Sequence, residues 1–229
     1  MPGKRFAIIA SAGGSAFLSA HEALSHHSFR VITDRICGVE AGCDERGIPR
    51  TRIVAADNRV FSGGVAQDLK EHGPFDAVFL LFSRLVTEPL ISGLPLVNLH
   101  PALLPAYPGI GALKLALEGG ARFFGATAHR VSAGVDDGPI IAQVCQVLAP
   151  GMTLPDLAKA SFLHKMYLLL VCVDLIENDA LTFTRAGAVV AAGRPFSAQA
   201  NPALSNPAYL EHVRRIEAQE GVRFTRIGA

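Results

Sequence analysis

The chain has 229 residues, 50% of them hydrophobic and 18% charged, with a formal net charge of +1. That is enough apolar material for one large domain, or a domain with a small appendage. It is too little charge to draw nucleic acid or an anionic membrane to the surface, so a small-molecule substrate is expected in a soluble, cytoplasmic protein.

Lys4-Arg5 precedes an apolar run at residues 6–10 that is too short for the core of a signal peptide and reads instead as a first strand buried on both faces. Ser11-Ala-Gly-Gly-Ser15 follows, then a helix over residues 16–24. Strand, glycine turn and helix start leave free backbone N–H groups, so the stretch is either an anion site or a tight turn without a ligand. Residues 30–33 predict strand two, and 38–49, with glycines and clustered charges, a loop. A short strand at 52–56 is followed by a helix capped by Ser62 and running to His72, where Gly73-Pro74 stops it. Residues 76–82 read as another doubly buried strand, and Thr87-Glu-Pro-Leu as a short helix with Thr87 as cap and Pro89 in its first turn.

Residues 95–111 then form a short apolar strand that delivers Asn98 and His100 and breaks at Pro101. Two residues apart on a strand, Asn98 and His100 share a face, and the carboxyl end of a strand is where open α/β sheets place their chemistry. A helix over 111–118 closes at Gly119-Gly120; strands follow at 125–131 and 139–148, joined by the turn-rich 132–138. Thr153 and Asp156 form a capping-box pattern for a long helix to Glu177. Its apolar run at 166–176 is broken by Asp174 and too short to span a bilayer. A hairpin across Ala186-Gly187, a polar Pro-rich stretch from Pro195, a helix over 207–219 and a strand at 222–227 complete the chain. Alternating strands and helices in the first hundred residues argue an α/β fold with a Rossmann-like, mostly parallel sheet that becomes mixed in the second half.

Cys37, Cys43, Cys145 and Cys172 make no CxxC and have no His at ligand spacing, so they read as buried thiols of a reducing compartment, with no metal expected. A His can relay a proton, an Asn amide can donate to a developing oxyanion, and a loop carboxylate can orient the His. Asn98, His100 and the Asp136-Asp137 pair therefore suit acyl transfer through a tetrahedral intermediate, with no GxSxG elbow for a serine hydrolase. Taken singly, His100 is a structural histidine and Asp136-Asp137-Gly138 a turn. His129 is read as structural ahead of functional. His21, His26, His27, His72, His164 and His212 are assigned to surface or helix faces.

Asn98-Leu-His-Pro-Ala-Leu-Leu-Pro105, Gly125-Ala-Thr-Ala-His129 and Val135-Asp-Asp-Gly-Pro-Ile-Ile-Ala-Gln143 occur in this order. Together they resemble the folate-dependent formyltransferase family, with its N-x-H-P-S-L-L-P, T-x-H and D-x-G-P-I-I segments. The likeness is strong over residues 95–145 and looser over 5–94. It implies 10-formyltetrahydrofolate as donor, Asn98 and His100 as oxyanion stabilisers and Asp136 as proton shuttle, with Asp137 in the variable slot. It implies folate contacts from Arg84, Leu85, Val86, Leu96, Ser132, Ala133, Gly134 and Val135, and substrate contacts from Gly13, Gly14 and Ser15.

The sequence departs from the pattern at Ala102, where Ser is usual, and at Ala16, where the glycine loop carries Asn. The strand end Leu81-Phe-Ser-Arg84 is one residue short, and residues 111–114 lack a His. The expected acceptor is phosphoribosylglycinamide or a related phosphorylated amine. A sugar-nucleotide amine is second, and hydrolysis of the formyl donor third. The last usually comes with an N-terminal regulatory domain, whereas strand one here begins near residue 5. Methionyl-tRNA is a less expected acceptor, since a full RNA-binding domain is not expected within 229 residues. The expected organisation is a formyltransferase domain over 1–194 and an extension over 195–229 that covers the cleft, serves as the arm of a homodimer or caps the sheet.

Overall fold

The computed structural model describes residues 3–12, 14–184 and 187–222. They fall into two compact units, Met1–Asn98 with Val131–Val135, and Leu99–Arg130 with Asp136–Ala229.

In chain order the first unit contains β1 (Arg5–Ala10), α1 (Ser15–Leu24), β2 (Ser28–Thr33), α2 (Gly38–Arg46), β3 (Arg50–Arg52), α3 (Asn58–His72), β4 (Ala77–Leu81), α4 (Leu90–Gly93) and the start of β5 (Leu96–His100). Its strands run in the order β5-β4-β1-β2-β3. All these pairs are parallel, with Ile8 of β1 level with Val31 on one side and Phe79 on the other. Both sheet faces are covered, which is why β1 and β4 are continuous apolar runs. On one face Ala7, Ile9, Val78, Leu80 and Leu96 pack with Phe61, Val65 and Leu69, the i, i+4, i+8 stripe of α3. On the other, Phe17 of α1 lies 5.3 Å from Phe29, and Phe6 lies 5.6 Å from Phe29 and 5.8 Å from Phe79. Each fully buried side chain of this size contributes about 1.5–3 kcal/mol.

Residues 38–49 are not a loop: most of them form α2. Val39 and Cys43, one turn apart, are fully buried. Glu40 accepts from Thr33 Oγ1 at 2.6 Å and Arg52 Nε at 2.8 Å, and Arg52 holds its carboxyl down to about 2. Gly42 lets α1 approach closely, since a Cβ there would sit 2.4 Å from Leu18 Cδ1. The cap of α3 is Asp57, which accepts from Val60 N at 2.8 Å. Ser62 lies inside that helix, fully buried, and its Oγ accepts from Thr87 N. Pro89, not Thr87, occupies the cap position of α4.

The second unit takes the end of β5, then α5 (Ala112–Glu118), β6 (Phe123–Arg130), β7 (Ile140–Val147), α6 (Leu154–Glu177), β8 (Leu181–Thr184), β9 (Gly187–Val190), β10 (Ala200–Asn201) and α7 (Pro207–Glu220). Here β7 pairs antiparallel with both β6 and β10, and β8 with β9. The α/β fold, mostly parallel and then antiparallel, is as expected. The capping box of Thr153 and Asp156 starts α6. His164 on α6 is not at the surface. It is fully buried against Phe124 and Gln146, and burial pushes its pKa down to about 3. Cys43 and Cys172 are buried, whereas Cys37 and Cys145 are only partly so.

The stretch after Pro195 is fastened to α6. The buried Asp174 carboxylate accepts from Ser205 N, Ser205 Oγ and Asn206 N through Oδ2, and from Asn178 Nδ2 through Oδ1. Tyr167 Oη accepts from Leu204 N, and Tyr209 Oη donates to Glu177. Arg185, Ala186 and the expected strand beyond Val222 lie outside the described residues. Among the described residues no helix is long and apolar enough to cross a membrane.

Candidate active site

β5 ends at His100, as the following Pro101 requires, and the ring is 5% exposed. The turn after it is held by Thr127 of β6. The Thr127 hydroxyl donates to Ala102 O at 2.7 Å and accepts from Leu104 N at 3.1 Å. Gln143 of β7 adds bonds from Nε2 to Leu104 O at 2.9 Å and to Thr127 Oγ1 at 3.0 Å. Period-two alternation puts His129 on the same face of β6 as Thr127, and both are almost fully buried.

Asp136 is bonded to both histidines. Its Oδ2 lies 3.2 Å from His100 Nδ1 and its Oδ1 3.3 Å from His129 Nε2. Oδ2 also accepts from Gly109 N at 2.8 Å. Asp136 holds a left-handed backbone, φ 51°, a conformation costly for most side chains and tolerated by Asp. The His129 hydrogen bond, then the Gly109 N–H and the positive potential of the two imidazoles, hold its carboxyl down to about 2 against the opposing effect of burial.

The far nitrogen of each ring faces a backbone carbonyl, His100 Nε2 that of Tyr107 at 2.9 Å and His129 Nδ1 that of Arg130 at 3.1 Å. A carbonyl and an ionised carboxylate both only accept, so each ring is held in place between two acceptors. The arrangement can hold a carboxylate ionised between two imidazoles and pass a proton among them. His129 was weighed as structural from sequence. The signal for its role was its spacing of two from Thr127 on a strand that serves the His100 turn. Tyr107 and Gly109 act through their backbones, which residue types do not reveal.

In the first unit, Asn98 is half-buried on β5, level with Leu80 of β4. Leu96, Val86 and Val131 pack in one cluster, and Val131 N donates to Leu96 O, which brings the 131–135 segment to β5. Ser132 is half-buried, Ala133 and Gly134 are exposed, and Val135 and Leu85 are about half exposed. The Arg84 guanidinium is taken up by neighbours: Nε donates to Asn58 Oδ1 at 3.0 Å, Nη1 to Ala55 O at 3.3 Å, and the group lies 5.2 Å from the centre of the Phe61 ring. Gly14 caps α1 with φ 64°, Ser15 opens the helix and is exposed, and Gly13 lies outside the described residues. The ends of β1 and β4 are tied by Ser11 Oγ and Ser83 Oγ at 2.9 Å.

The sequence profile described as formyl transferase matches residues 4–170. The chloroplastic phosphoribosylglycinamide formyltransferase of Arabidopsis thaliana is 31% identical over 184 residues, 72% of this chain and 63% of that protein. The phosphoribosylglycinamide formyltransferase of Mycobacterium tuberculosis is 32% identical over 148 residues, 61% of this chain and 69% of that protein. Among solved structures, glycinamide ribonucleotide transformylase 1 from Symbiobacterium toebii superposes with a TM-score of 0.75 at 26% identity, over 82% of this chain and 94% of that one. The profile covers well over half of the sequence, including every residue of the His100, His129 and Asp136 cluster, and the chain belongs to the formyl transferase family.

Proposed function

We propose that the protein transfers the formyl group of 10-formyltetrahydrofolate to the primary amine of phosphoribosylglycinamide. The observation that carries this reading is the Asp136 carboxylate held between His100 and His129 in a chain whose relatives bear that activity in their names. The amine attacks the formyl carbon, and the carbonyl oxygen gathers negative charge. Asn98 Nδ2 donates to that oxyanion, and His100 stabilises it by exchanging a contact with Tyr107 or Asp136 for the oxyanion as charge develops. Asp136, ionised at neutral pH, takes the proton the amine sheds and returns it, directly or through water, to the departing folate nitrogen.

The folate ring is assigned to Arg84, Leu85, Val86, Leu96, Ser132, Ala133, Gly134 and Val135. Its support is the Leu96, Val86 and Val131 cluster. Since the Arg84 side chain is engaged elsewhere, its backbone is the part left for folate. The acceptor phosphate is assigned to Gly13, Gly14 and Ser15 at the start of α1. The catalytic domain is assigned to 1–194 and an extension to 195–229, of which residues 204–209 act as a brace on α6. A sugar-nucleotide amine is the second reading, favoured by the buried, apolar Ala16 in the first turn of α1.

Purified protein with 10-formyltetrahydrofolate and a panel of amines tests the proposal. Tetrahydrofolate release that requires phosphoribosylglycinamide supports it. Release that requires a sugar-nucleotide amine supports the second reading, and release without any amine overturns both in favour of hydrolysis.

A further inference from the structure

Residues 105–111, which lead from the His100 turn to α5, touch the cluster through two backbone groups. The Tyr107 carbonyl sits on His100 Nε2 at 2.9 Å, and Gly109 N–H donates to Asp136 Oδ2 at 2.8 Å. Tyr107, Gly109 and Gly111 all take left-handed backbone, with φ 55°, 81° and 84°. The phenol of Tyr107 is lodged at the end of α5, since a Cβ on Gly119 would lie 3.2 Å from its hydroxyl. A Cβ on Gly109 or on Gly111 would meet nothing within 4 Å. Crowding therefore explains neither glycine, and backbone shape explains both.

The Tyr107 carbonyl on Nε2 and the Asp136 carboxylate 3.2 Å from Nδ1 hold the His100 ring between them. We propose that the Tyr107–Gly109 backbone is a positioning clamp for the reaction. The Tyr107 carbonyl orients the His100 ring through Nε2, and the Gly109 N–H holds Asp136 against Nδ1, which makes Gly109 a positioning residue. Its catalytic meaning rests on the formyl-transfer reading, while the clamp itself rests only on geometry.

Gly109→Ala and Gly111→Ala impose the same kind of left-handed penalty two residues apart, and only the first disturbs a bond to Asp136. Gly109→Ala should lower kcat roughly ten- to a hundredfold, the usual size for a group displaced by on the order of 1 Å. KM for folate and for the amine should stay put, and the imidazole ¹⁵N signal of His100 should shift. Gly111→Ala should lose similar thermal stability yet keep kcat and the ¹⁵N signal. Gly109→Asn, which accepts left-handed backbone more readily, should recover much of the rate. Equal losses of kcat in the two alanine variants, or an unmoved ¹⁵N signal in Gly109→Ala and Gly109→Asn alike, would overturn the clamp. If the unaltered protein formylates no amine while the ¹⁵N signals still separate the two alanine variants, the proposed function fails and the clamp stands.

Discussion

A double-mutant cycle on His129 and Asp136 measures whether these two residues act as a unit. The Asp136 carboxyl is held at about 2, against an ordinary value of 3.8. One pKa unit corresponds to about 1.4 kcal/mol, so all its partners together stabilise the fold by roughly 2 kcal/mol. His129 is the largest of those contributors, which puts its own coupling to Asp136 on the order of 1 kcal/mol. The depressed pKa contributes in full above 3.8, where the unfolded carboxyl is ionised too, and the contribution fades as pH falls from 3.8 toward 2. Urea unfolding of the parent, His129→Ala, Asp136→Asn and the double variant gives the coupling directly, because cavity and volume effects of each single change cancel in the cycle. The expected outcome is a coupling of about 1 kcal/mol at pH 7 that shrinks below pH 4. A coupling below about 0.4 kcal/mol at pH 7, within ordinary additivity, would refute the account of the cluster.

Other expected outcomes follow from the same contacts. Asp136→Asn keeps the size of the side chain and removes the base, so kcat should fall roughly 10²–10⁴-fold in steady-state assays with folate affinity retained; a loss under about tenfold would remove Asp136 from the proton path. Thr127→Val preserves shape but strips the donor for Ala102 O and the acceptor for Leu104 N, two buried groups whose exposure as orphans costs about 1–3 kcal/mol each, readable by chemical denaturation together with a fall in kcat. Asp174→Ala leaves the donors of Ser205, Asn206 and Asn178 without their carboxylate; a loss of about 3 kcal/mol is expected, with faster limited proteolysis around residues 195–206 and kcat unchanged, and an unaltered unfolding midpoint would refute the brace.

The elements read correctly from sequence are those whose burial is stated locally. β1 and β4 are apolar throughout because helices cover both faces of their sheet, and α6 announces itself through Thr153 and Asp156. The failures have one physical form, a local pattern overruled by a distant partner. α2 has poor helix formers and charge on its surface, and it is held by Arg52, twelve residues downstream of Glu40, and by the close approach of Leu18 at Gly42. Ser62 looks like a helix cap and is instead a buried acceptor for Thr87, while Asp57, five residues earlier, does the capping.

The same distinction divides the candidate site. Asn98, His100 and Asp136 could be named as candidates because their chemistry resides in side chains whose spacing is written in the sequence. His129 was half legible, since strand alternation placed it beside Thr127 but nothing local said that a carboxylate would reach it. Tyr107 and Gly109 were illegible, because a carbonyl and an N–H belong to every residue and only the left-handed backbone at 107 and 109 aims them at His100 and Asp136. In the proposed site the side chains supply the groups that would move a proton. In the proposed clamp, the backbone of residues 107–109 sets how the His100 ring and the Asp136 carboxylate meet.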